Sequence, residues 1–300
     1  MSTSGISSTS PGSNPAPPWA GFHAGDRPLI MGIINVTPDS FANHGEHFDQ
    51  PIALAHARSL IAAGADILDI GGESTRPFAE PVSLEEELRR VLPLIQAIRA
   101  ESAIPLSIDT YKAPVARAAL AAGANIINDI SAFRLDPQMA ALARDARVPV
   151  ILMHMQGTPL NMQTNPSYRD LVGEIKDFFQ ERLDFALSQG LSLDLLVLDP
   201  GIGFGKTFAH NLEILNRLDA FLDFGCPLLV GPSRKAFIGR LLDLPPGQRD
   251  VGTLAALAMA ALKGAAILRV HNVAFARQFF QVLTAIRQAP ATSPPAASHV

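Results

Sequence analysis

The sequence has a single cysteine, little charge of either sign and no long apolar run, and each shortage excludes a class of protein. Cys226 has no second cysteine with which to form an internal disulfide, so a cytoplasmic location is expected. No apolar stretch reaches the roughly 20 residues that a membrane-spanning helix needs. The start of the chain also lacks the charged and apolar regions of a secretory leader.

The charge balance gives no sign of a nucleic-acid partner. The chain has 24 Lys and Arg against 28 Asp and Glu, for a net charge of −4, whereas proteins that hold a phosphate backbone need a basic field. Hydrophobic residues make up 48% of the chain and charged residues 17%, which is typical of a globular protein with a large core. We therefore expect small-molecule substrates, with no nucleic acid and no membrane as partners.

The two ends of the chain are poor in residues that could join a core. Residues 1–26 are rich in Ser, Thr, Gly and Pro, and residues 289–300 contain Pro290, Pro294 and Pro295. Such segments do not bury enough apolar surface to offset the entropy of ordering them. We expect disordered tails over 1–26 and 289–300, with one folded domain over 27–288.

Within this domain, short aliphatic runs alternate with longer segments whose apolar residues recur at helical spacing, as in repeated βα units. Strands are predicted over 29–36, 66–71, 106–109, 125–130, 149–153, 195–199, 227–230 and 266–270. Ser83 followed by Glu86 adds a capping-box signal for one intervening helix. Eight units without a Gly-rich dinucleotide turn after the first strand favour an α/β fold of the (β/α)8 TIM barrel type over an open sheet.

Polar side chains lie at or just beyond the C-terminal end of every predicted strand. They are Asn35, Thr37 and Asp39; Glu73, Ser74, Thr75 and Arg76; Asp109 and Thr110; Asn128 and Asp129; His154; Asp199; Ser233, Arg234 and Lys235; and Arg269, His271 and Asn272. One such residue alone is more often a helix cap or a loop contact than a ligand. Because parallel strands end at one rim of a barrel, the pattern as a whole predicts the active site there.

The chemistry of this rim indicates a phosphorylated heterocycle. Cations beside amides suit a phosphate or pyrophosphate, and buried carboxylates and amides suit the donor and acceptor edge of a ring. Nothing resembles a zinc cluster, so a hard ion such as Mg²⁺ is favoured. The stretch 201–207 fails as a P-loop because of Pro200 and as a dinucleotide motif because of Lys206. We interpret this stretch as a flexible turn that lets the backbone approach a ligand.

Eight strings of residues carry a family resemblance. They are GIINVTPDSF (32–41), DIGGESTRP (69–77), SIDT (107–110), NDI (128–130), LMHMQG (152–157), DPGIGFGK (199–206), SRK (233–235) and RVH (269–271). Their order and spacing resemble those of the dihydropteroate synthases of the folate pathway, over nearly all of 29–288. The resemblance implies a transferase that condenses 6-hydroxymethyl-7,8-dihydropterin pyrophosphate with 4-aminobenzoate, giving 7,8-dihydropteroate and pyrophosphate.

The resemblance also implies roles for particular residues. Asn35 would bind Mg²⁺, and the catalytic residues would be Asp109, Lys235 and Asp199. The substrate-binding residues would be Thr75, Asp109, Asn128, Asp199, Lys235, Arg269, Val270 and His271, with Arg76, Phe204, Phe41 and Pro77 lining the aminobenzoate pocket. Loops 37–45 and 74–79 would close over the site. The family is typically homodimeric, and Leu254, Leu257 and Leu262 belong either to a dimer interface or to the core.

The chain departs from the family pattern mainly in the aminobenzoate half of the site. Ala236 stands where the family usually has serine, and the loop after Phe41 differs from the usual pattern. Two alternatives therefore stay open beside the synthase. One is methyl transfer from a methyl-folate to a corrinoid protein, as in related pterin-binding barrels. The other is a pterin-binding paralogue without synthase activity.

Overall fold

The fold is an eight-stranded α/β barrel. The computed structural model describes residues 16–21, 26–37, 50–74 and 79–289. All eight predicted strands occur there: β1 Leu29–Asn35, β2 Ile67–Gly71, β3 Leu106–Asp109, β4 Ile126–Asp129, β5 Val150–Met153, β6 Leu196–Asp199, β7 Leu229–Val230 and β8 Ile267–Val270. Each lies within one or two residues of its predicted bounds, and the predicted (β/α)8 fold class is confirmed.

Parallel pairing closes the strands into a ring. Hydrogen-bonded neighbours follow the order β6-β5-β4-β3-β2-β1-β8-β7. A parallel bridge between Leu198 and Leu228 joins the two ends of this order, and the Leu198 amide donates to the Pro227 carbonyl at 3.0 Å. Because all strands run the same way, their C-terminal ends share one rim.

Helices surround the barrel. In the described part of the chain they are α1 Gln50–Ala62, α2 Leu84–Glu101, α3 Ala113–Ala121, α4 Met139–Ala146, α5 Leu171–Ser188, α6 Phe208–Asn216, α7 Ala236–Leu242, α8 Asp250–Leu262 and α9 Val273–Arg287. Ser83 caps α2 by accepting a hydrogen bond from the Glu86 amide at 3.2 Å. The Glu86 carboxylate pairs with Arg89 and Arg90, so half of the predicted capping box forms. None of the described helices has the length and hydropathy that crossing a membrane requires.

The side chains inside the barrel form an apolar layer below a polar one. The lower layer consists of Met31, Ile67, Ile126, Ile151, Val197, Leu229 and Ile267. Strand side chains alternate between faces, so the residues two positions later point into the same interior. On five of these strands, they are Asp69, Asn128, Met153, Asp199 and Arg269. The alternation therefore brings charged side chains together directly beneath the C-terminal rim.

A segment of the predicted N-terminal tail packs against the base of the barrel. Trp19 is 3% exposed and belongs to the same apolar cluster as Met31 and Ile67. The composition of residues 1–26 predicts disorder, but one indole ring buries enough surface to hold 16–21 in place. Residues 1–15, 22–25 and 290–300 of the two predicted tails lie outside the described residues.

Candidate active site

The floor of the site is a network centred on Arg269. Its Nε donates to Asp69 Oδ2 at 2.6 Å, and its Nη2 donates to Asp109 Oδ2 at 2.8 Å. The Asn128 amide nitrogen also donates to Asp69 Oδ2, at 3.1 Å. Asp109 lies opposite Asn128 in the strand register. One guanidinium therefore faces two carboxylates, which leaves the floor with an excess of negative charge.

Asp69 was not among the predicted site residues, although it holds this network together. It is completely buried and contacts both Arg269 and Asn128. The available signal was its position in the middle of an otherwise apolar strand. A carboxylate there is costly unless it is paired.

Three atoms of the floor are available as acceptors. Asp69 Oδ1 and Asp109 Oδ1 are buried and have no hydrogen-bond partner among the described residues. Asn128 donates its amide nitrogen to a carboxylate, which only accepts, so its carbonyl oxygen is left to accept from another group. Leaving a buried acceptor unpaired is costly in free energy. The floor is therefore suited to a ligand that brings N–H donors.

The opposite side of the site is formed by Asp199 and Lys235. Asp199 Oδ1 accepts from the Gly201 amide at 2.7 Å, which fixes this carboxylate at the end of β6. Lys235 Nζ donates to the Ile202 carbonyl at 2.6 Å and lies 4.0 Å from the centroid of the Phe204 ring. The predicted residues Asp199, Lys235 and Phe204 are thus brought together around the loop that follows β6.

The loop after β7 and the end of β8 share a second network. Ser233 Oγ lies 2.9 Å from His271 Nδ1 and accepts from the His271 amide at 3.2 Å. Arg234 pairs with Asp250 at 2.7 Å, and Asn272 donates to the same carboxylate at 2.8 Å. Arg234 and Asn272 therefore order the wall of the site.

Val270 is 1% exposed and belongs to the hydrophobic core. Its side chain points away from the barrel interior, because Arg269 before it points inward. Of the predicted contact of Val270 with substrate, only a contact through the backbone is compatible with this position.

Burial shifts the pKa values of the central groups in the direction that favours their uncharged forms. It raises the pKa of Asp109 to about 7, although Arg269 opposes the shift. It lowers the pKa of Lys235 to about 7 against the attraction of Asp199, and it raises the pKa of Asp199 itself. The pKa of His271 falls to about 3 through burial and nearby cations, so this ring is neutral. Such perturbed groups in a cleft are typical of functional sites.

The raised pKa of Asp109 predicts a pH-dependent stability difference between the wild type and Asp109→Asn. The Asp109 carboxyl stays protonated to a higher pH in the folded state than in the unfolded chain. Its protonation therefore contributes fully to the stability of the fold below pH 3.8, and this contribution is lost as pH rises towards 7. Asparagine has no such titration. Denaturant unfolding at pH 4, 5.5 and 7 should show that the free energy of unfolding of Asp109→Asn, relative to that of the wild type, increases with pH by at most about 1.4 kcal/mol per pH unit. A difference independent of pH would show that Asp109 stays ionised throughout.

The glycine-rich stretch after β6 is shaped by its packing. Gly201 and Gly203 have φ values of 70° and 80°, which glycine adopts readily and other residues do not. A Cβ on Gly201 would collide with the His154 carbonyl oxygen, and one on Gly203 would press on the Lys235 side chain. The glycines are therefore required by close contacts within the protein, and the sequence interpretation as a flexible turn missed these contacts.

Lys206 and His154 anchor this stretch from below. Lys206 is 3% exposed, and its Nζ contacts His154 Nδ1 and donates to the Phe204 carbonyl, both at 2.9 Å. The His154 ring also packs edge-on against the Phe178 ring, with 4.8 Å between the ring centroids. His154 directly follows β5, as predicted, and it is buried with its Nδ1 paired to Lys206. The buried lysine that positions Phe204 was missed, because the sequence analysis treated it only as a mismatch to known motifs.

Thr75, Arg76, Phe41 and Pro77 lie outside the described residues, as do 38–45 and 75–78 of the two predicted closing loops. Asn35 is described: it ends β1, is half-buried and pairs with Gly71 in the strand register.

Comparisons with known proteins show the family to which the chain belongs. A sequence profile described as "Pterin binding enzyme" matches residues 31–271. A dihydropteroate synthase of Synechocystis sp. is 48% identical over 266 residues, which cover 88% of this chain and 92% of the relative. The structure of Xanthomonas albilineans dihydropteroate synthase with 4-aminobenzoic acid has a TM-score of 0.84 and 47% identity, covering 89% of this chain and 95% of the other. A complex of that synthase with 7,8-dihydropteroate has a TM-score of 0.81 and 45% identity, covering 90% and 98%.

Proposed function

Because the chain belongs to the family of pterin-binding enzymes and is a dihydropteroate synthase, we propose that the described floor binds the pterin and the wall beside it binds the pyrophosphate. The enzyme is a transferase that joins 6-hydroxymethyl-7,8-dihydropterin pyrophosphate to 4-aminobenzoate. The relatives reported above are synthases, so neither the corrinoid methyltransferase nor the inactive paralogue gains support from them.

The pattern of donors and acceptors in the floor supports the pterin contact. A pterin ring presents an amino group and ring N–H groups along one edge and a carbonyl and ring nitrogens elsewhere. The free oxygens of Asp109 and Asn128 and the carboxylate of Asp199 suit the N–H groups, while Lys235 suits an acceptor. The unpartnered Asp109 Oδ1 is the observation that carries this assignment most directly.

The same charges suit the chemical step. When the bond between the pterin methylene and the pyrophosphate oxygen breaks, the electron pair leaves with pyrophosphate and positive charge develops on the methylene. Asp109 and Asp199 stabilise this charge from a buried setting, where electrostatic contacts are strong. The amine of 4-aminobenzoate then forms the new carbon–nitrogen bond and releases a proton. No protein nucleophile is required.

Magnesium is assigned to Asn35 within this proposal. The described residues contain no group of three or more His, Cys, Asp or Glu side chains that could hold a metal ion. Mg²⁺ commonly keeps several waters and takes one or two protein oxygens together with substrate phosphates. The half-buried Asn35 amide at the end of β1 fits that limited role. When bound, the ion neutralises charge on the pyrophosphate.

Calorimetric titration with inorganic pyrophosphate tests the magnesium assignment. The wild type should bind pyrophosphate more tightly with Mg²⁺ than with EDTA. Asn35→Ala should lose about tenfold in the magnesium-dependent affinity, because one contact to a charged group is removed. The exposed Asn216 at the end of α6 provides the matched control, Asn216→Ala. An equal effect of Mg²⁺ on wild type and Asn35→Ala would exclude Asn35 as a ligand.

Exposed apolar residues on α8 and α9 support the homodimer. Val251 and Leu262 on α8 are 76% and 55% exposed, and Val282 and Ile286 on α9 are 60% and 67% exposed. The two helices pack side by side, and exposed apolar residues on neighbouring helices are a feature of interfaces. Of the three leucines considered from sequence, Leu257 and Leu254 pack in or against the core, and Leu262 is exposed.

The dimer predicts that Val282→Glu yields monomers. In a symmetric interface each substitution places two carboxylates in apolar surroundings, which opposes association. Light scattering after size-exclusion chromatography should give a dimer for the wild type and a monomer for Val282→Glu. Leu187→Glu, at a residue 46% exposed on α5, should remain dimeric. A monomeric wild type would rule out the dimer.

A further inference from the structure

Ser233 makes two contacts with a single residue, His271. Its Oγ accepts from the His271 backbone amide at 3.2 Å and lies 2.9 Å from the Nδ1 of the ring. Ser233 is 6% exposed, so water has little access to its hydroxyl. The serine comes from the loop after β7 and the histidine from the end of β8, and the contact therefore connects two parts of the rim.

Counting donors and acceptors assigns the proton between the two side chains. The Ser233 hydroxyl has one proton, and among the described residues His271 Nδ1 is the one acceptor recorded for it. If Nδ1 carried a hydrogen, it would donate to Oγ, and the buried hydroxyl proton would be left unpaired at a cost in free energy. If Nδ1 is unprotonated, the hydroxyl donates to it and still accepts from the backbone amide. The second arrangement satisfies every group.

The other ring nitrogen then carries the hydrogen. The ring is neutral, since burial and the cations Arg269, Arg234 and Lys235 disfavour an imidazolium. No described residue forms a hydrogen bond with Nε2, and His271 is partly exposed at the rim. Nε2–H is therefore a free donor in surroundings that favour an anion.

We propose that Ser233 is a positioning residue that fixes His271 in its Nε2–H form, so that the ring presents a hydrogen-bond donor to the pyrophosphate. The inference rests on the proposed function, in which the wall that contains Ser233 and His271 binds the pyrophosphate. Pyrophosphate oxygens only accept, so the alternative form would turn a lone pair towards them. Arg269 supplies positive charge, and His271 adds a directed neutral contact, which is weaker than a charged one and compatible with product release.

Nitrogen NMR of the full-length enzyme labelled in histidine tests the protonation of the ring directly. The His271 signals are assigned by comparison with His271→Gln. In the ligand-free wild type, Nδ1 should give the signal of an unprotonated ring nitrogen and Nε2 that of a protonated one. Ser233→Ala should populate the Nδ1–H form. Thr253→Val is the matched control, because Thr253 Oγ1 accepts from the Arg234 amide at 3.0 Å in the same loop and does not touch His271.

Titration with magnesium pyrophosphate completes the test. Pyrophosphate should shift the His271 Nε2 signal of the wild type and bind Ser233→Ala about tenfold more weakly, while 6-hydroxymethylpterin binds both proteins equally. Thr253→Val should keep the wild-type affinity for both ligands. An Nδ1–H ring in the wild type would overturn the inference, and so would a Ser233→Ala protein with unchanged ring and unchanged affinity. If pyrophosphate leaves the wild-type Nε2 signal unchanged, His271 does not contact pyrophosphate, and the inference fails. Turnover is measured in a separate assay, so this failure can be distinguished from a failure of the synthase function.

Discussion

Asp109→Asn is expected to fold normally and to lower turnover about 100-fold, the effect typical of removing one group that stabilises charge in the transition state. The substitution keeps the size of the side chain. It removes the charge that we propose stabilises the pterin methylene, and it replaces one acceptor by an N–H group. The release of pyrophosphate from the pterin substrate, followed continuously in the presence of 4-aminobenzoate and Mg²⁺, measures the effect.

Denaturant unfolding at the assay pH, which belongs to the stability comparison described above, shows whether the variant stays folded. Activity lost by a folded variant then reports on the site and not on unfolding. Asp219→Asn, which removes a surface carboxylate paired with Lys263 at 2.9 Å, should turn over at the wild-type rate. Wild-type turnover in Asp109→Asn would remove Asp109 from its assigned role.

Lys235→Met is expected to lower kcat/KM for the pterin substrate by about 100-fold or more. Methionine keeps the apolar stem that packs on Gly203 and Phe204 but removes the ammonium group. Asp199 also loses a cation that holds its pKa down, so it becomes protonated more readily and stabilises positive charge less well.

The pH profile of kcat/KM separates this role from simple packing. This ratio reports the groups of the free enzyme, and burial lowers the pKa of Lys235 to about 7. The wild-type value should therefore fall as pH rises above 7, and Lys235→Met should lack that fall. Lys263→Met, at the surface, should keep the wild-type profile. A profile of Lys235→Met that falls like the wild type would assign the titration to another group, with Lys206 the first candidate.

The periodicity of the chain predicted the strands and helices, and the count of eight units without a Gly-rich dinucleotide turn favoured the barrel and its rim. Parallel strands buried on both faces read as apolar runs, and the polar residues that follow them, such as Asp109, Asp199 and Lys235, need only the rule that strand ends coincide. The family resemblance then supplied roles. Both rest on order along the chain, which a sequence displays directly.

Pairing between side chains could not be predicted in the same way. That Arg269 joins Asp69 to Asp109, or that Ser233 meets His271, depends on which strands are neighbours and on the height of each residue in the barrel. The contact of Trp19 with the base of the barrel could not be predicted either. Composition describes the average of a segment, whereas a single large side chain can decide whether the segment packs against the fold.

The measurement that tests the proposed mechanism most directly is product formation by the enzyme and its Asp109→Asn variant, each given pterin pyrophosphate, 4-aminobenzoate and Mg²⁺. The wild type should form 7,8-dihydropteroate and pyrophosphate in equal amounts, and the variant should bind the pterin yet form both about 100-fold more slowly. A wild-type enzyme that binds the pterin but releases no pyrophosphate would contradict the proposed mechanism.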